Sequence, residues 1–168
     1  ISGGKIYDNI VTGGNGGGIS IVGGDFRMSE GGGYKTSFYH NTAIADGGTG
    51  GSGGGIYITS TSSSTSDVEV DILSGAIQGN SADRLGGGIC VDMDDAKSIS
   101  VSANVTVGVA GAHTDNPGIQ DNRALLEGGG MYVIGSNANV TINNGYILGN
   151  ITSGYVYNEN VANEKGLV

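Results

Sequence analysis

Three carboxylates alternate with aliphatic residues in Asp67-Val68-Glu69-Val70-Asp71-Ile72. Side chains of an extended strand point alternately to its two faces, so Asp67, Glu69 and Asp71 are expected to project together from one side. Several oxygen ligands in one place suit a hard cation such as calcium. The same row also serves as a solvated acidic face. Asp92, Asp94 and Asp95 follow a later strand-like run and are expected near the first group on an adjacent coil. Neither segment has the spacing of an EF-hand loop or of a glycine–aspartate nonapeptide repeat. The cofactor expectation is therefore none, with calcium as the one ion these residues would suit.

Acid–base chemistry has fewer raw materials. Hydrolysis of a glycosidic bond needs two carboxylates facing each other across a groove. Eliminative cleavage of an acidic polysaccharide needs calcium and a base, for which Arg84 and Arg123 stand in comparable positions. Both also read as ordinary exposed corner residues. His40 and His113 lie in unlike contexts and do not form a recognisable pair. Cys90 takes the outward strand position that Tyr57 and Tyr132 occupy elsewhere, so it is expected as an exposed thiol with no partner histidine. Those two tyrosines, with Tyr7, Tyr39 and Tyr157, either line an outer face that stacks on sugar rings or pack beneath neighbouring loops. The glycine runs are not phosphate loops, since neither Gly-Lys-Ser/Thr nor a helical pattern follows them. No residue is assigned a catalytic role. Asn104-Val105-Thr106, Asn139-Val140-Thr141 and Asn150-Ile151-Thr152 satisfy the N-glycosylation pattern, which arises by chance in a chain rich in Asn and Thr.

Composition narrows the classes. The net charge is −9, and the seven Lys and Arg residues are scattered, which argues against nucleic acid as a partner. A single cysteine excludes an internal disulfide framework and a cysteine-based zinc site. No stretch is apolar for long enough to span a membrane as a helix. Glycine is abundant, at 35 of 168 residues, but there is one proline and no Gly-X-Y period, so a collagen helix is excluded. The length suits one domain, 1–168.

The elements that must position these side chains are repeated phrases. An apolar-x-x-Asn element recurs as Ile6 to Asn9, Phe38 to Asn41, Ile77 to Asn80, Ile119 to Asn122, Ile147 to Asn150 and Tyr157 to Asn160. A glycine triplet followed by an alternating run recurs at Gly16 to Ile21, Gly53 to Ile58, Gly86 to Val91 and Gly128 to Val133. Successive triplets begin 37, 33 and 42 residues apart. A fixed phrase with a variable period signals stacked units with insertions at their corners. Ile19 and Ile21, Ile56 and Ile58, Ile89 and Val91, and Met131 and Val133 are expected to face inward as aliphatic ladders. Asn9, Asn41, Asn80 and Asn122 are expected to stack at corners through their amides. Gly18, Gly55, Gly88 and Gly130 belong to the structural set because glycine permits tight corners. The polar tract 59–66 and the segment 110–118 read as loops. With Tyr57 and Tyr132, they supply the binding candidates Thr61, Ser64 and His113. The chain begins and ends inside a repeat, without the polar capping unit a solenoid needs. Either it is part of a longer repeat protein or its ends stack on other copies.

The pairing of apolar-x-x-Asn with Gly-Gly-apolar resembles the repeats of the polymorphic outer-membrane protein family of chlamydiae, whose phrases are Phe-x-x-Asn and Gly-Gly-Ala-Ile. Phe38 to Asn41 matches the first phrase literally, and Gly replaces Ala in each full copy of the second. The resemblance implies a right-handed parallel β-helix of the pectin-lyase-like kind and an adhesin-like surface segment, and it carries over no catalytic residue. The expectation is thus an all-β, right-handed parallel β-helix with uncapped ends, extracellular or at a cell surface. It would display loops to a host-cell or glycan ligand. The alternatives are a subunit of a head-to-tail filament and a polysaccharide-binding or polysaccharide-cleaving β-helix protein.

Overall fold

The computed structural model describes residues 1–94, 101–111 and 116–153. Its regular elements are all strands. A first passage of the chain forms β1 (Gly4–Tyr7), β2 (Ile10–Thr12), β3 (Ile19–Val22) and β4 (Asp25–Met28). A second forms β5 (Thr36–Tyr39), β6 (Thr42–Asp46), the short β7 (Thr49–Gly50), β8 (Ile56–Thr59) and β9 (Val68–Ile72). A third forms β10 (Ala76–Gln78), β11 (Ser81–Ala82), β12 (Ile89–Asp92) and β13 (Ala103–Val107). A fourth forms β14 (Gly118–Gln120), β15 (Arg123–Ala124), β16 (Met131–Ile134) and β17 (Ala138–Ile142). Finally, β18 (Tyr146–Leu148) and β19 (Ile151–Thr152) open a fifth.

Each of the first four passages places one strand in each of four sheets, and the fifth adds β18 and β19 to the first two. The first sheet runs β1-β5-β10-β14-β18, the second β2-β6-β11-β15-β19, the third β3-β8-β12-β16 and the fourth β4-β9-β13-β17. Neighbours within these orders are parallel, and β7 alone pairs antiparallel, with β6. Parallel pairing without helical crossovers is possible because a full passage separates each strand from its partner.

Register follows the repeated phrases. Ile6, Phe38, Ile77, Ile119 and Ile147 stack across the first sheet. Ile19, Ile56, Ile89 and Met131 stack across the third, as do Ile21, Ile58, Val91 and Val133. In the fourth, Phe26, Val70, Val105 and Val140 align, and so do Met28, Ile72 and Val107. The inward rows are the core: Phe38, Ile56, Ile58, Ile77, Ile89 and Ile119 are fully buried. Each such side chain removed from water stabilises the fold by about 1.5–3 kcal/mol. The alternation predicted from the sequence is the alternation found.

Candidate functional site

The corner between the first and second sheets is the most uniform part of the molecule. It is always two residues: 8–9, 40–41, 79–80, 121–122 and 149–150. The first of the pair has a left-handed backbone, with φ of 56° at Asp8, 55° at His40, 63° at Gly79, 55° at Asp121 and 66° at Gly149. Aspartate, histidine and glycine are among the residues that tolerate this region, whereas a β-branched residue is not. The second of the pair is asparagine each time.

These asparagines form a continuous ladder. Asn41 Nδ2 donates to Asn80 Oδ1 (3.0 Å) and to the Ile6 carbonyl (3.0 Å). Asn80 Nδ2 donates to Asn122 Oδ1 (3.0 Å) and to the Phe38 carbonyl (3.1 Å). Asn122 Nδ2 donates to Asn150 Oδ1 and to the Ile77 carbonyl, both at 2.9 Å. Each Oδ1 also accepts the backbone N–H of the preceding asparagine, as in Asn41 to Asn80 (2.9 Å) and Asn80 to Asn122 (3.0 Å). Asn9 begins the ladder with bonds from its N–H and Nδ2 to Asn41 Oδ1. Asn41, Asn80 and Asn122 are buried, and the amides of these three carry two donated and two accepted bonds each. Burying an amide is tolerable only under such full pairing.

The glycine triplets pack against this ladder, and each position has its own reason. The first glycine takes positive φ, for example 67° at Gly53. The second lies where a side chain would strike the backbone of the next passage. At the third, a Cβ on Gly55 would come 2.7 Å from the Gly88 carbonyl oxygen and 3.2 Å from Asn80 Nδ2. Gly18, Gly88 and Gly130 are confined in the same way by Asn41, Asn122 and Asn150. At Gly18, Gly55 and Gly88 the carbonyl oxygen of the next passage opposes alanine first and the asparagine amide after it, and at Gly130 the amide is the nearest obstacle.

The other corners vary. Between the third and fourth sheets the connection is 23–24, then 60–67, then 93–102, then 135–137. Thr61 and Ser64 lie in the second of these. Ser64 is held by a local turn, its N–H donating to the Thr61 carbonyl (2.9 Å) and its Oγ accepting the Thr61 N–H (3.0 Å). Thr61 is exposed and Ser64 half-buried. His113 and Asp95 lie outside the described residues, as do Tyr157 and the phrase 160–168.

The acidic residues divide between two sheets. Asp67, Glu69 and Asp71 line the outside of the fourth sheet, each turned to a different partner. Asp67 Oδ1 accepts the Ser102 N–H (2.8 Å), Glu69 Oε1 accepts from Asn104 Nδ2 (2.7 Å), and Asp71 pairs with Arg27 (4.0 Å). Asn139 Nδ2 continues this outer row by donating to Asn104 Oδ1 (3.0 Å). Asp92 and Asp94 are instead at the third sheet. β9 and β12 lie on adjacent passages but in different sheets, so the two acidic groups do not form one row. Among the described residues no three His, Cys, Asp or Glu side chains converge as a metal site would require.

The outer row of the third sheet is Ser20, Tyr57, Cys90 and Tyr132, in register. Cys90 points outward as expected, yet it is fully buried and not an exposed thiol. Burial, with the neighbouring Asp92 carboxylate, pushes its pKa far up, so the thiolate needed for reactivity does not form at neutral pH. Tyr57 is also covered, at 8% exposure. Its hydroxyl donates to Asp92 Oδ2 (3.0 Å), and burial together with that carboxylate raises its pKa strongly. Tyr132 is half-buried, and burial and Glu127 raise its pKa. These residues therefore pack and do not form an open aromatic stripe. The open aromatic pair is on the first sheet, where the Tyr7 and Tyr39 rings stack at 4.8 Å and 1°.

Beside Tyr57, the β6–β8 connection and the 83–88 corner enclose a cleft of about 430 Å³. Arg84, Asp92 and Asp94 line it together, with Asn15 from the first passage and Leu85 and Ile134 as its apolar walls. Arg84 Nη1 donates to the Gly48 carbonyl (3.2 Å). Arg123 lies elsewhere, on the second sheet, with its Nε donating to Ser153 Oγ (2.9 Å). Sequence reasoning missed this cleft because its walls come from four passages. The in-register glycine triplets, which place Asn15 and Arg84 on one corner of the stack, were the available signal. No protein-family model, no curated protein and no solved structure matches the chain.

Proposed function

We propose that the chain is a stretch of right-handed parallel β-helix acting as a rigid, non-catalytic scaffold in an extracellular surface protein, its loops presented to a host-cell or glycan ligand. The observation that carries this reading is the contrast in corner length. The asparagine corner is two residues in all five passages, while the connection from third to fourth sheet ranges from two residues (23–24) to ten (93–102). A stack held at one corner and free at another is suited to displaying variable segments. Right-handed winding is the hand that parallel crossover connections almost always take. The resemblance to chlamydial surface repeats points to the same place of action. Catalysis is left out because Asp92 and Asp94, the two carboxylates of the cleft beside Tyr57, sit two residues apart on one segment, with Asp92 Oδ1 accepting the Asp94 N–H (3.3 Å), whereas hydrolysis needs two carboxylates facing each other across a groove.

Antibodies raised against the chain test the location. Labelling of intact source cells is expected; labelling only after lysis would contradict the reading. Adhesion is tested by coating beads with the chain, and replacement of 61–65 by an unrelated sequence is expected to change cell attachment without changing the far-ultraviolet circular dichroism.

A further inference from the structure

We propose that the cleft beside Tyr57 is a binding site for a neutral saccharide. The proposal rests on the scaffold reading and names the site and ligand class that reading leaves open.

The cleft offers acceptors and donors in the mixture that vicinal hydroxyls require. Asp92 accepts one bond on each oxygen, from Tyr57 Oη (3.0 Å) and from the Asp94 N–H (3.3 Å). A carboxylate has about four acceptor sites, so both oxygens retain capacity. The bond from Tyr57 fixes the carboxylate before any ligand arrives, which lowers the ordering cost of binding. Arg84 carries five N–H donors, and its hydrogen bond among the described residues is the one to Gly48. Asn15 Oδ1 accepts the Ser52 N–H (3.0 Å), which leaves its Nδ2 to donate. Leu85 and Ile134 can cover the C–H face of a sugar ring. The cleft volume lies within the range of small-ligand pockets, roughly 300–1,000 Å³.

Charge selects among polar ligands. Two aspartates against one arginine leave the cleft with a negative balance, within a chain of net charge −9, so an anionic sugar is repelled. The Arg84 guanidinium beside the aspartates opposes a divalent cation. A neutral, hydroxyl-rich ligand satisfies the carboxylates and the guanidinium at once.

The test is saturation-transfer NMR on the whole chain with the methyl glycosides of glucose, galactose, mannose and N-acetylglucosamine, and with methyl glucuronide, each at about 10 mM. At least one neutral glycoside is expected to receive saturation, more strongly than the glucuronide. Arg84→Ala and Asp94→Ala are expected to weaken that binding about tenfold or more each, since bonds to charged groups are lost. Asp94 is exposed and Arg84 half-buried, so both variants should keep the fold, with circular dichroism as the check. Transfer to none of the neutral glycosides, preferential transfer to the glucuronide, or undiminished binding in both variants would overturn the proposal. A chain that labels intact cells yet binds no neutral glycoside sinks this inference alone. A chain that binds the sugar but is found only inside cells sinks the surface reading alone.

Discussion

Two corners of the same molecule follow opposite rules. Between the first and second sheets the chain turns in two residues every time, through one left-handed residue and one buried asparagine. Between the third and fourth sheets it takes two, eight, ten or three residues, at 23–24, 60–67, 93–102 and 135–137. The difference teaches where the fold is specified. Asn80 has four side-chain bonds and sits at 1% exposure, so the passages on either side depend on it. Thr61 bonds within its own turn, so the sheets on either side do not.

The largest effect is therefore expected at the asparagine corner. Asn80→Ala takes away the acceptor of the buried Asn41 N–H, one of the two acceptors of Asn41 Nδ2 and a donor to the Phe38 carbonyl, and should cost about 3–5 kcal/mol, given about 1–3 kcal/mol per buried group that loses its partner. Urea unfolding checks this, with a lowered midpoint as the expected result. Gly88→Ala comes next. Its Cβ would meet the Gly130 carbonyl oxygen at 2.6 Å and Asn122 Nδ2 at 2.9 Å, and overpacking of this kind costs about 1–3 kcal/mol.

Alkaline pH probes the covered outer row of the third sheet. The Cys90 and Tyr57 pKa values are both raised, chiefly by burial. The unfolded thiol ionises near pH 8.5 while the folded one stays protonated, so protons are released on unfolding above that pH. The stabilisation is complete below about pH 8.5 and is lost as pH rises, by up to ~1.4 kcal/mol per unit for the thiol. Denaturant titrations at pH 7 and 10 measure it, and Cys90→Ala should flatten the dependence between pH 8.5 and 10.

The smallest effects belong to the variable corner and the bare face. Deleting 62–64 should change stability by less than about 1 kcal/mol, because loop closure depends only weakly on length. Asn104→Ala removes an amide of the exposed row on the fourth sheet and should stay within about 0.5 kcal/mol. A large loss from either would erase the contrast between the two corners.

Much of this was legible in the sequence. Strict alternation after each glycine triplet located Ile56, Ile58, Ile89 and Val91 in the core, because a strand has only two faces. The recurrence of asparagine after an apolar-x-x phrase located the ladder. A further signal went unused: the residue before each of the five asparagines in the ladder is Asp, His or Gly, the set that tolerates left-handed backbone. Alternation could not say what lies over a side chain that points outward. Cys90 and Tyr57 share that direction with the exposed Ser20, yet both are buried. The cleft was illegible for the same reason, since Asn15, Arg84 and Asp92 meet only after three passages have been stacked.

The central claim is that the buried asparagine ladder, and not the exposed one, holds the passages together. Side-chain amide hydrogen exchange measured by NMR tests it most directly. The Nδ2 protons of Asn41, Asn80 and Asn122 should persist long after those of Asn104 and Asn139 have exchanged, with protection approaching that of global unfolding. Exchange of all five at the rate of a free amide would contradict the account.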